Sequence, residues 1–195
     1  MPKEKIIIVS GFAGSGKSTL AEKLAKHFGM KCIHASDLLR QLQDKKASEL
    51  RPEESKAGSG WWETKEGKEF MKKRLEDMSM DRELDKLLLK VIDEGNVVVD
   101  SWTMPWLSKK GFKIWLDVSA EERAKRVAKR DCLDVKDVIE RIEYRDVKTA
   151  EIYRNLYGFE LGKDLKPFNL VARAEKTEEG VFEEAKKALE RYFKA

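Results

Sequence analysis

Residues 11–18, GFAGSGKS, match the phosphate-binding pattern GxxxxGK[ST] in full. The match lies between an apolar β-branched run at 6–9 and a segment with helical periodicity, and this strand–turn–helix context makes the motif specific. Glycines let the backbone N–H groups of the turn face a phosphate, and the helix N-terminus adds partial positive charge. We expect Lys17 to reach the β- and γ-phosphates of a nucleotide and the Ser18 hydroxyl to coordinate Mg²⁺. The candidate nucleotide contacts are Gly11, Ala13, Gly14, Ser15, Gly16, Lys17, Ser18 and Thr19.

Other sequence features narrow the class of nucleotide-binding protein. A switch GTPase would carry DxxG and NKxD motifs, which the sequence lacks, and an ABC-type or motor ATPase would need a much longer chain. A dinucleotide-binding turn fits less well, because the glycines at 14 and 16 are not followed by a third at the required spacing. A small-molecule kinase needs three further features: an acid near Mg²⁺, a cation for the acceptor, and a basic lid.

Asp100 and Arg40 are the candidates for the first two of these features. Asp100 ends the apolar run 97–99, and ligands bind at the carboxyl ends of strands in open α/β sheets, so we place it in the water shell of Mg²⁺. Its alternative role is a helix cap. Arg40 follows the second predicted strand by about one helical turn, and a right-handed crossover would point it into the same crevice. Its alternative is a solvated helix face.

Five arginines form the candidate lid. Arg123, Arg126 and Arg130 are three and four residues apart and share one helix face, which could neutralise several phosphate oxygens at once. Arg141 and Arg145 repeat the spacing of four farther along. A solvent-exposed helix charge is the alternative for each of them taken singly.

Two tryptophans and two histidines complete the set of candidates. Trp61 and Trp62 lie in a polar, glycine-containing segment, where they could stack on a base or pack the segment onto the body of the protein, and both interpretations stay open. His27 and His34 have no partner at triad or metal-ligand spacing, so we interpret both as structural.

The elements that must position these residues alternate between strand and helix. Apolar runs predict strands at 6–9, 31–34, 97–100, 112–118 and 169–172, and periodicity predicts helices at about 17–28, 65–78, 81–93, 121–130 and 177–193. Ser36 or Asp37 would cap a helix through residues 38–42, and Asp134 one that extends toward Tyr157. Residues 44–64 are interpreted as a loop or flexible insert. The alternation predicts an α/β fold with a parallel sheet.

The composition fits one domain of 195 residues with a real core. Lys and Arg number 40 against 36 Asp and Glu, so the net charge of +4 favours nucleic acid only faintly. No apolar stretch could span a membrane, and the apolar run at 6–9 is too short for a secretory signal, so we expect a cytoplasmic protein. Cys32 and Cys132 predict neither a disulfide nor a zinc site. High charge with few Asn and Gln residues indicates a thermophilic source.

With these pieces placed, the chain resembles the nucleoside monophosphate kinases, and most of all the short archaeal-type cytidylate kinases. The resemblance spans most of the chain and rests on the phosphate-binding motif, the segment 34–40, the strand that ends in Asp100, the basic run 122–130 and the Tyr157-Gly158 turn. It implies a P-loop NTPase fold, a three-layer αβα arrangement with five parallel strands. It also implies a single domain over 1–195, with an NMP-binding insert at about 36–80 and a helical lid at about 121–158.

The same resemblance implies ATP- and Mg²⁺-dependent phosphorylation of a nucleoside monophosphate, most of all CMP. Arg40 would bind the acceptor phosphate, with Ser36, Asp100 and Trp102 nearby. Arg126, Arg130 and Arg145 would act with Lys17 on the transferring phosphoryl group, and Arg123 on the nucleotide. The implied partners are small nucleotides, without a membrane or nucleic acid, and the protein is expected to be a monomer or a weak dimer.

The chain departs from the family pattern in positions that affect the acceptor. Residues 101–106, SWTMPW, contain no arginine where these kinases hold the acceptor phosphate, and Thr149 and Ile152 stand at the acidic and basic base-reading positions. Two alternatives therefore stay open. One is a kinase for another small acceptor, adenylate kinase-like or acting on a coenzyme precursor. The other is a P-loop ATPase that serves as an assembly factor.

Overall fold

A five-stranded parallel sheet with the order β2-β3-β1-β4-β5 forms the centre of the molecule. The computed structural model describes residues 5–58, 60–173 and 177–194. The strands are β1 (Ile6–Gly11), β2 (Lys31–His34), β3 (Val97–Asp100), β4 (Phe112–Asp117) and β5 (Leu170–Arg173). The helices are α1 (Lys17–Phe28), α2 (Ala35–Gln41), α3 (Lys65–Glu76), α4 (Ser79–Glu94), α5 (Met104–Leu107), α6 (Ala120–Asp131), α7 (Val135–Tyr157) and α8 (Glu178–Lys194).

The sheet separates two hydrophobic clusters, which gives the molecule three layers. Successive side chains of a strand point to opposite faces, so Ile6 and Ile8 of β1 join one cluster, whereas Ile7 and Val9 join the other. Helices α2, α3, α4, α6 and α7 contribute to the first cluster, and α1 and α8 contribute to the second. Because the central strands are buried on both faces, their sequences are continuously apolar. The predicted α/β fold with a parallel sheet is confirmed.

The register of the sheet brings candidate site residues together at one edge. Val9 of β1 pairs with Asp100 of β3, and Asp100 pairs in turn with His34 of β2. The phosphate-binding motif follows β1 directly, and α1 begins at Lys17. The phosphate-binding motif, Asp100 and His34 therefore all lie at the carboxyl edge of the sheet, where ligands bind in parallel α/β sheets.

The structure corrects several local predictions. Helix α2 begins at Ala35, immediately after β2, so Ser36 and Asp37 lie inside the helix and do not cap it. Three 3₁₀ turns, Ala47–Glu49, Pro52–Glu54 and Gly60–Glu63, occupy the segment predicted as a loop. Residue 59, within that segment, lies outside the described residues. Helix α5 was not predicted, because four residues are too few for periodicity to show.

Helices α6 and α7 form an antiparallel hairpin beside the phosphate-binding motif. The Asp134 carboxylate accepts a hydrogen bond from the Lys136 N–H, so the cap predicted there is confirmed, and the Ser119 hydroxyl caps α6 in the same way by accepting from the Glu122 N–H. Cys132 adopts a left-handed conformation at the turn between the helices. None of the helices in the described part of the chain is both long enough and apolar enough to cross a bilayer.

Candidate active site

The phosphate-binding motif opens onto a cavity of about 800 Å³. The loop and the first turn of α1 form one wall, and the α6–α7 hairpin forms the opposite wall. The cavity is lined by most of the predicted nucleotide contacts, among them Ala13, Gly14, Ser15, Gly16, Lys17, Ser18 and Thr19, and by Arg126, Arg130 and Arg145.

The loop owes its shape to its glycines. Gly14 and Gly16 have φ angles of +78° and +90°, which other residues adopt at a cost. A Cβ on Gly14 would lie 2.8 Å from Val127 Cγ2 and 2.9 Å from the Arg123 carbonyl oxygen, so the loop packs directly on α6. The α1 N-terminus follows at once, and its free N–H groups face the region where a phosphate would bind.

Lys17 lies at the base of the cavity. Its Nζ is 3.5 Å from the Phe12 carbonyl oxygen and 5.3 Å from the centre of the Trp102 ring. Burial lowers the pKa of Lys17 below its ordinary value, although the Asp100 carboxylate opposes the shift. The ammonium group is thus poorly hydrated, which strengthens its attraction for a phosphate oxygen.

Asp100 and Ser18 form a set of oxygen ligands suited to Mg²⁺. The Ser18 hydroxyl donates to Asp100 Oδ2 at 2.6 Å, and Asp100 is buried. Magnesium is usually held by one or two protein oxygens together with substrate phosphates, so this pair fits it. Within the described ranges there is no group of three or more His, Cys, Asp or Glu residues that could hold a metal by itself.

His34 is a partner of Asp100 that sequence reasoning missed. Its Nδ1 is 3.2 Å from Asp100 Oδ2, and its Nε2 is 3.6 Å from Cys32 Sγ. Burial lowers the pKa of His34, but Asp100 and Cys32 together, through their hydrogen bonds and charge, outweigh this effect and raise it to about 10. Burial opposes ionisation of Asp100 as well, yet His34 and Lys17 hold the pKa of that carboxyl below its usual range. The two strand ends therefore share a buried contact between an imidazole and a carboxylate.

Arg123 does not face the cavity with the other lid arginines, and this corrects the prediction from helical spacing. It is buried, and its Nη1 donates to the Ala13 carbonyl oxygen at 2.9 Å and to Asp146 Oδ2 at 2.6 Å. Asp146 Oδ1 accepts from the Ala13 N–H at 3.3 Å. Arg123 thus stabilises the phosphate-binding loop through its hydrogen bond to the Ala13 carbonyl oxygen. Asp146 gave no signal in the sequence beyond its place next to Arg145.

Of the other four lid arginines, Arg126, Arg130 and Arg145 line the cavity, and Arg141 does not. Arg126 Nη1 donates to the Ser15 carbonyl oxygen at 3.3 Å, which places it across the loop. Arg130 is exposed and pairs with Asp131 at 2.6 Å. The guanidinium carbon of Arg145 lies 4.7 Å from the Trp62 ring centre and 5.2 Å from that of Trp102.

A second, smaller cavity adjoins the first and shares Lys17, Ser36, Trp62 and Arg145 with it. Asp100 and Trp102 also line it, together with Arg74, Asp85 and Tyr153. Sequence reasoning missed Arg74 and Asp85, because both lie on charged stretches of helix where burial leaves no local mark. Arg74 is almost completely buried and forms two hydrogen bonds to Asp81, at 3.1 and 2.6 Å.

Arg40 lies outside both cavities. Its Nη2 donates to Asp37 Oδ1 at 2.5 Å, and 41% of its side chain is exposed. The Asp37 carboxylate also accepts from the Lys56 N–H at 3.0 Å, so Asp37 ties α2 to the segment before the third 3₁₀ turn. In this conformation Arg40 contributes to that junction.

Asp85 is a buried carboxylate without a direct cationic partner among the described contacts. Its two oxygens accept hydrogen bonds from the Thr103 hydroxyl at 2.6 Å and the Tyr157 hydroxyl at 2.7 Å. Burial raises the pKa of Asp85 to about 6, although these hydrogen bonds oppose the shift. Asp85 thereby joins α4, the segment after β3 and the end of α7.

Known proteins match this chain over almost its whole length. The model of the cytidylate kinase-like family matches residues 6–176. The cytidylate kinase of Pyrococcus horikoshii is 35% identical over 193 residues, covering 97% of this chain and 91% of that protein. The cytidylate kinase of Pyrococcus abyssi is 34% identical over 196 residues, covering 99% and 98%. Both relatives come from thermophilic archaea, in keeping with the charge-rich composition.

Solved structures support the fold alone. The shikimate kinase of Bacteroides thetaiotaomicron superposes with a TM-score of 0.59 at 16% identity, covering 96% of this chain and 99% of that one. A protein from Thermus thermophilus, TT1252, gives the same TM-score at 19% identity, covering 97% of each chain. The P-loop NTPase fold implied by the family resemblance, with five parallel strands between helical layers, is confirmed.

Proposed function

Because the chain belongs to the cytidylate kinase-like family and is a nucleotide kinase, we propose that it transfers the γ-phosphoryl group of ATP, with Mg²⁺, to CMP. One observation carries the proposal: the phosphate-loop cavity and the smaller cavity meet at Lys17 and Arg145. A donor in the first cavity and an acceptor in the second would approach each other at these two cations. Phosphoryl transfer depends on such positioning and on neutralisation of charge.

In this proposal, the donor phosphates lie along the loop N–H groups and the α1 N-terminus. Lys17 binds the β- and γ-phosphates, while Arg126, Arg130 and Arg145 approach from the lid. Ser18 and Asp100 would hold Mg²⁺, which supplies further charge neutralisation at the donor phosphates. Closure of the lid excludes water, which would otherwise accept the phosphoryl group. An ionised acceptor phosphate is already a nucleophile, so the mechanism needs no general base.

The acceptor would occupy the smaller cavity in a more open conformation, because that cavity has a volume of only about 40 Å³ in this structure. Ser36, Asp100 and Trp102 line that cavity in agreement with the proposed acceptor role, and Arg40 would have to leave Asp37 to reach the acceptor phosphate. A kinase for another small acceptor is the second candidate, because segment 101–106 carries no arginine and Arg40 does not line this cavity. Since both substrates are cellular nucleotides, we place the activity in the cytoplasm.

A panel of acceptors tests the proposal. The purified protein is incubated with ATP and Mg²⁺ and, in separate reactions, with CMP, UMP, AMP, GMP, their deoxy forms and shikimate, and the products are separated by ion-exchange chromatography. We expect CMP to be converted to CDP with the highest kcat/KM. Phosphorylation of a different acceptor would support the second candidate. Release of ADP without any phosphorylated acceptor would instead favour the ATPase alternative.

A further inference from the structure

We infer that Trp62 is a positioning residue for Arg145: the indole rings of Trp62 and Trp102 hold the guanidinium where the two cavities meet. This inference rests on the proposed function, in which Arg145 acts on the transferring phosphoryl group. It assigns Trp62 a role that acts through another side chain, and it replaces the hypothesis that Trp62 stacks on the base of the acceptor.

The Arg145 guanidinium lies within contact distance of both indole rings. The Arg145 guanidinium carbon is 4.7 Å from the centre of the Trp62 ring and 5.2 Å from the centre of the Trp102 ring, both within the range of a cation–π contact. Both indoles are more than nine-tenths buried. Arg145 and Trp62 line both cavities, so the contact lies on the path between donor and acceptor.

Both rings are themselves fixed, which makes them suitable walls. Trp102 Nε1 donates a hydrogen bond to the carbonyl oxygen of Gly11, the last residue of β1. Trp62 packs on Phe70 of α3 with ring centres 5.7 Å apart. A Cβ on Gly67 would lie 2.4 Å from the Trp61 carbonyl oxygen, so the turn that carries Trp62 lies directly against α3.

Other side chains of the protein already pack against the Trp62 ring, which argues against stacking of a base on it. Besides Arg145, the guanidinium carbon of Arg74 lies 5.6 Å from its ring centre, and the neighbouring Trp61 ring meets it edge-on at 5.1 Å. The guanidinium carbon of Arg40 lies 6.0 Å from the centre of the Trp61 ring, and Trp61 lines neither cavity. The two adjacent tryptophans therefore serve different arginines.

Fixing Arg145 before the reaction has a physical advantage. A free arginine side chain loses much rotamer freedom when it must hold one geometry, and that loss raises the barrier if it occurs in the transition state. Two aromatic walls would impose the geometry beforehand. Because the walls come from the 3₁₀ turn Gly60–Glu63 and from the segment after β3, the position of a lid arginine depends on residues outside the lid.

A double-mutant cycle in the full-length protein tests the inference. The variants are Trp62→Leu, Trp62→Phe, Arg145→Ala and the double variant Trp62→Leu/Arg145→Ala, with Trp61→Leu as the matched control. Wild-type turnover of the acceptor is measured first. We expect Trp62→Leu to lower kcat by roughly 5–30-fold, the range of a desolvated cation–π contact, while both KM values stay within about twofold. Trp62→Phe should retain most of kcat, and Trp61→Leu should lower kcat less than Trp62→Leu does, because the Trp61 ring contacts Arg40 and the edge of Trp62.

The decisive result is whether the effects of the Trp62 and Arg145 substitutions on kcat depend on each other. If Trp62 acts through Arg145, Trp62→Leu should change kcat by less than about twofold in the Arg145→Ala background. Additive losses would overturn the inference, and so would a rise in the acceptor KM that depends on the base. Trp62→Phe keeps the test informative if the leucine variant fails to fold.

A spectroscopic measurement separates this inference from the proposed function. The emission of Trp62 is obtained as the difference between wild type and Trp62→Phe, and again in the Arg145→Ala background. We expect the Trp62 difference spectrum to change when Arg145→Ala removes the guanidinium. An unchanged spectrum would overturn the inference that Trp62 contacts Arg145, even if the protein is an active kinase. If the wild type phosphorylates no acceptor, the proposed function fails, while the spectrum still decides whether the two side chains are in contact.

Discussion

Arg123 Nη1 lies 2.6 Å from Asp146 Oδ2, and this buried ion pair holds both backbone polar groups of Ala13, a residue of the phosphate-binding loop. Arg123 donates to the Ala13 carbonyl oxygen, while Asp146 accepts from the Ala13 N–H. The arginine comes from α6 and the aspartate from α7, so the lid hairpin and the loop share one polar junction. Burial raises the pKa of Asp146, and Arg123 opposes that shift.

We expect Arg123→Ala to lower the free energy of unfolding by roughly 3–5 kcal/mol, because it leaves Asp146 buried without its partner. Arg126→Ala is the matched control from the same helix. Its side chain is one-third exposed and pairs with Glu122, so its loss should cost about 1 kcal/mol or less while kcat still falls. Guanidinium unfolding and steady-state kinetics measure both effects. Equal stability of the two variants would contradict a structural role for Arg123.

We expect Lys17→Ala to lower kcat by about 10²–10³-fold or more, because the ammonium group stabilises charge in the transition state. The fold should persist, since Asp100 keeps its hydrogen bonds to His34 and Ser18. Lys26→Ala removes an exposed charge from the last turn of α1 and serves as the control. Turnover and melting temperature are measured together. Retained turnover in a folded Lys17→Ala variant would contradict the assignment of the loop.

We expect Asp85→Asn to remove a pH dependence of stability. A carboxyl whose pKa is raised from 3.8 to about 6 on folding binds its proton more tightly in the folded state, so the wild type loses stability as the pH rises from about 4 to 6. Asp81 and Arg74 are the charged neighbours that modify this pKa. At 1.36 kcal/mol per pKa unit, the loss is about 2–3 kcal/mol relative to Asp85→Asn.

Guanidinium unfolding of the wild type and of Asp85→Asn at about pH 4.5, 5.5, 6.5 and 7.5 measures the difference in their free energies of unfolding. The gap between them should widen with pH and level off above about pH 7. Parallel profiles would mean that Asp85 titrates at its ordinary value, with Thr103 and Tyr157 sufficient to hold the charge.

We expect Arg40→Ala to raise the acceptor KM by roughly 10–150-fold and to leave the KM for ATP nearly unchanged, which corresponds to a loss of about 1.5–3 kcal/mol of a charge-assisted hydrogen bond. Lys68→Ala, on the exposed side of α3, is the control for simple loss of charge. Kinetics with each substrate varied in turn give the two constants. An unchanged acceptor KM would mean that Arg40 stays with Asp37, as in the structure, and that the acceptor phosphate is bound by other residues.

The parts of this protein that local chemistry controls were predictable from the sequence. The GxxxxGK[ST] match placed the loop, and the predicted helix at 17–28 coincides with α1. Strands β2 and β3 also match their predicted bounds. These features depend on glycine conformations, β-branched runs and caps, which act within a few residues and so leave a mark that can be read along the chain.

The tertiary structure alone decided which charged side chains serve the site. Helical spacing grouped Arg123 with Arg126, but residues three apart are rotated by about 60° around the axis, and packing against α7 buries one and leaves the other at the cavity. Packing also brings His34 to Asp100 and Trp62 to Arg145, although these partners are 66 and 83 residues apart in the sequence. Contacts of this kind are set by how the layers pack, and the free energy that selects them comes from residues no local pattern connects.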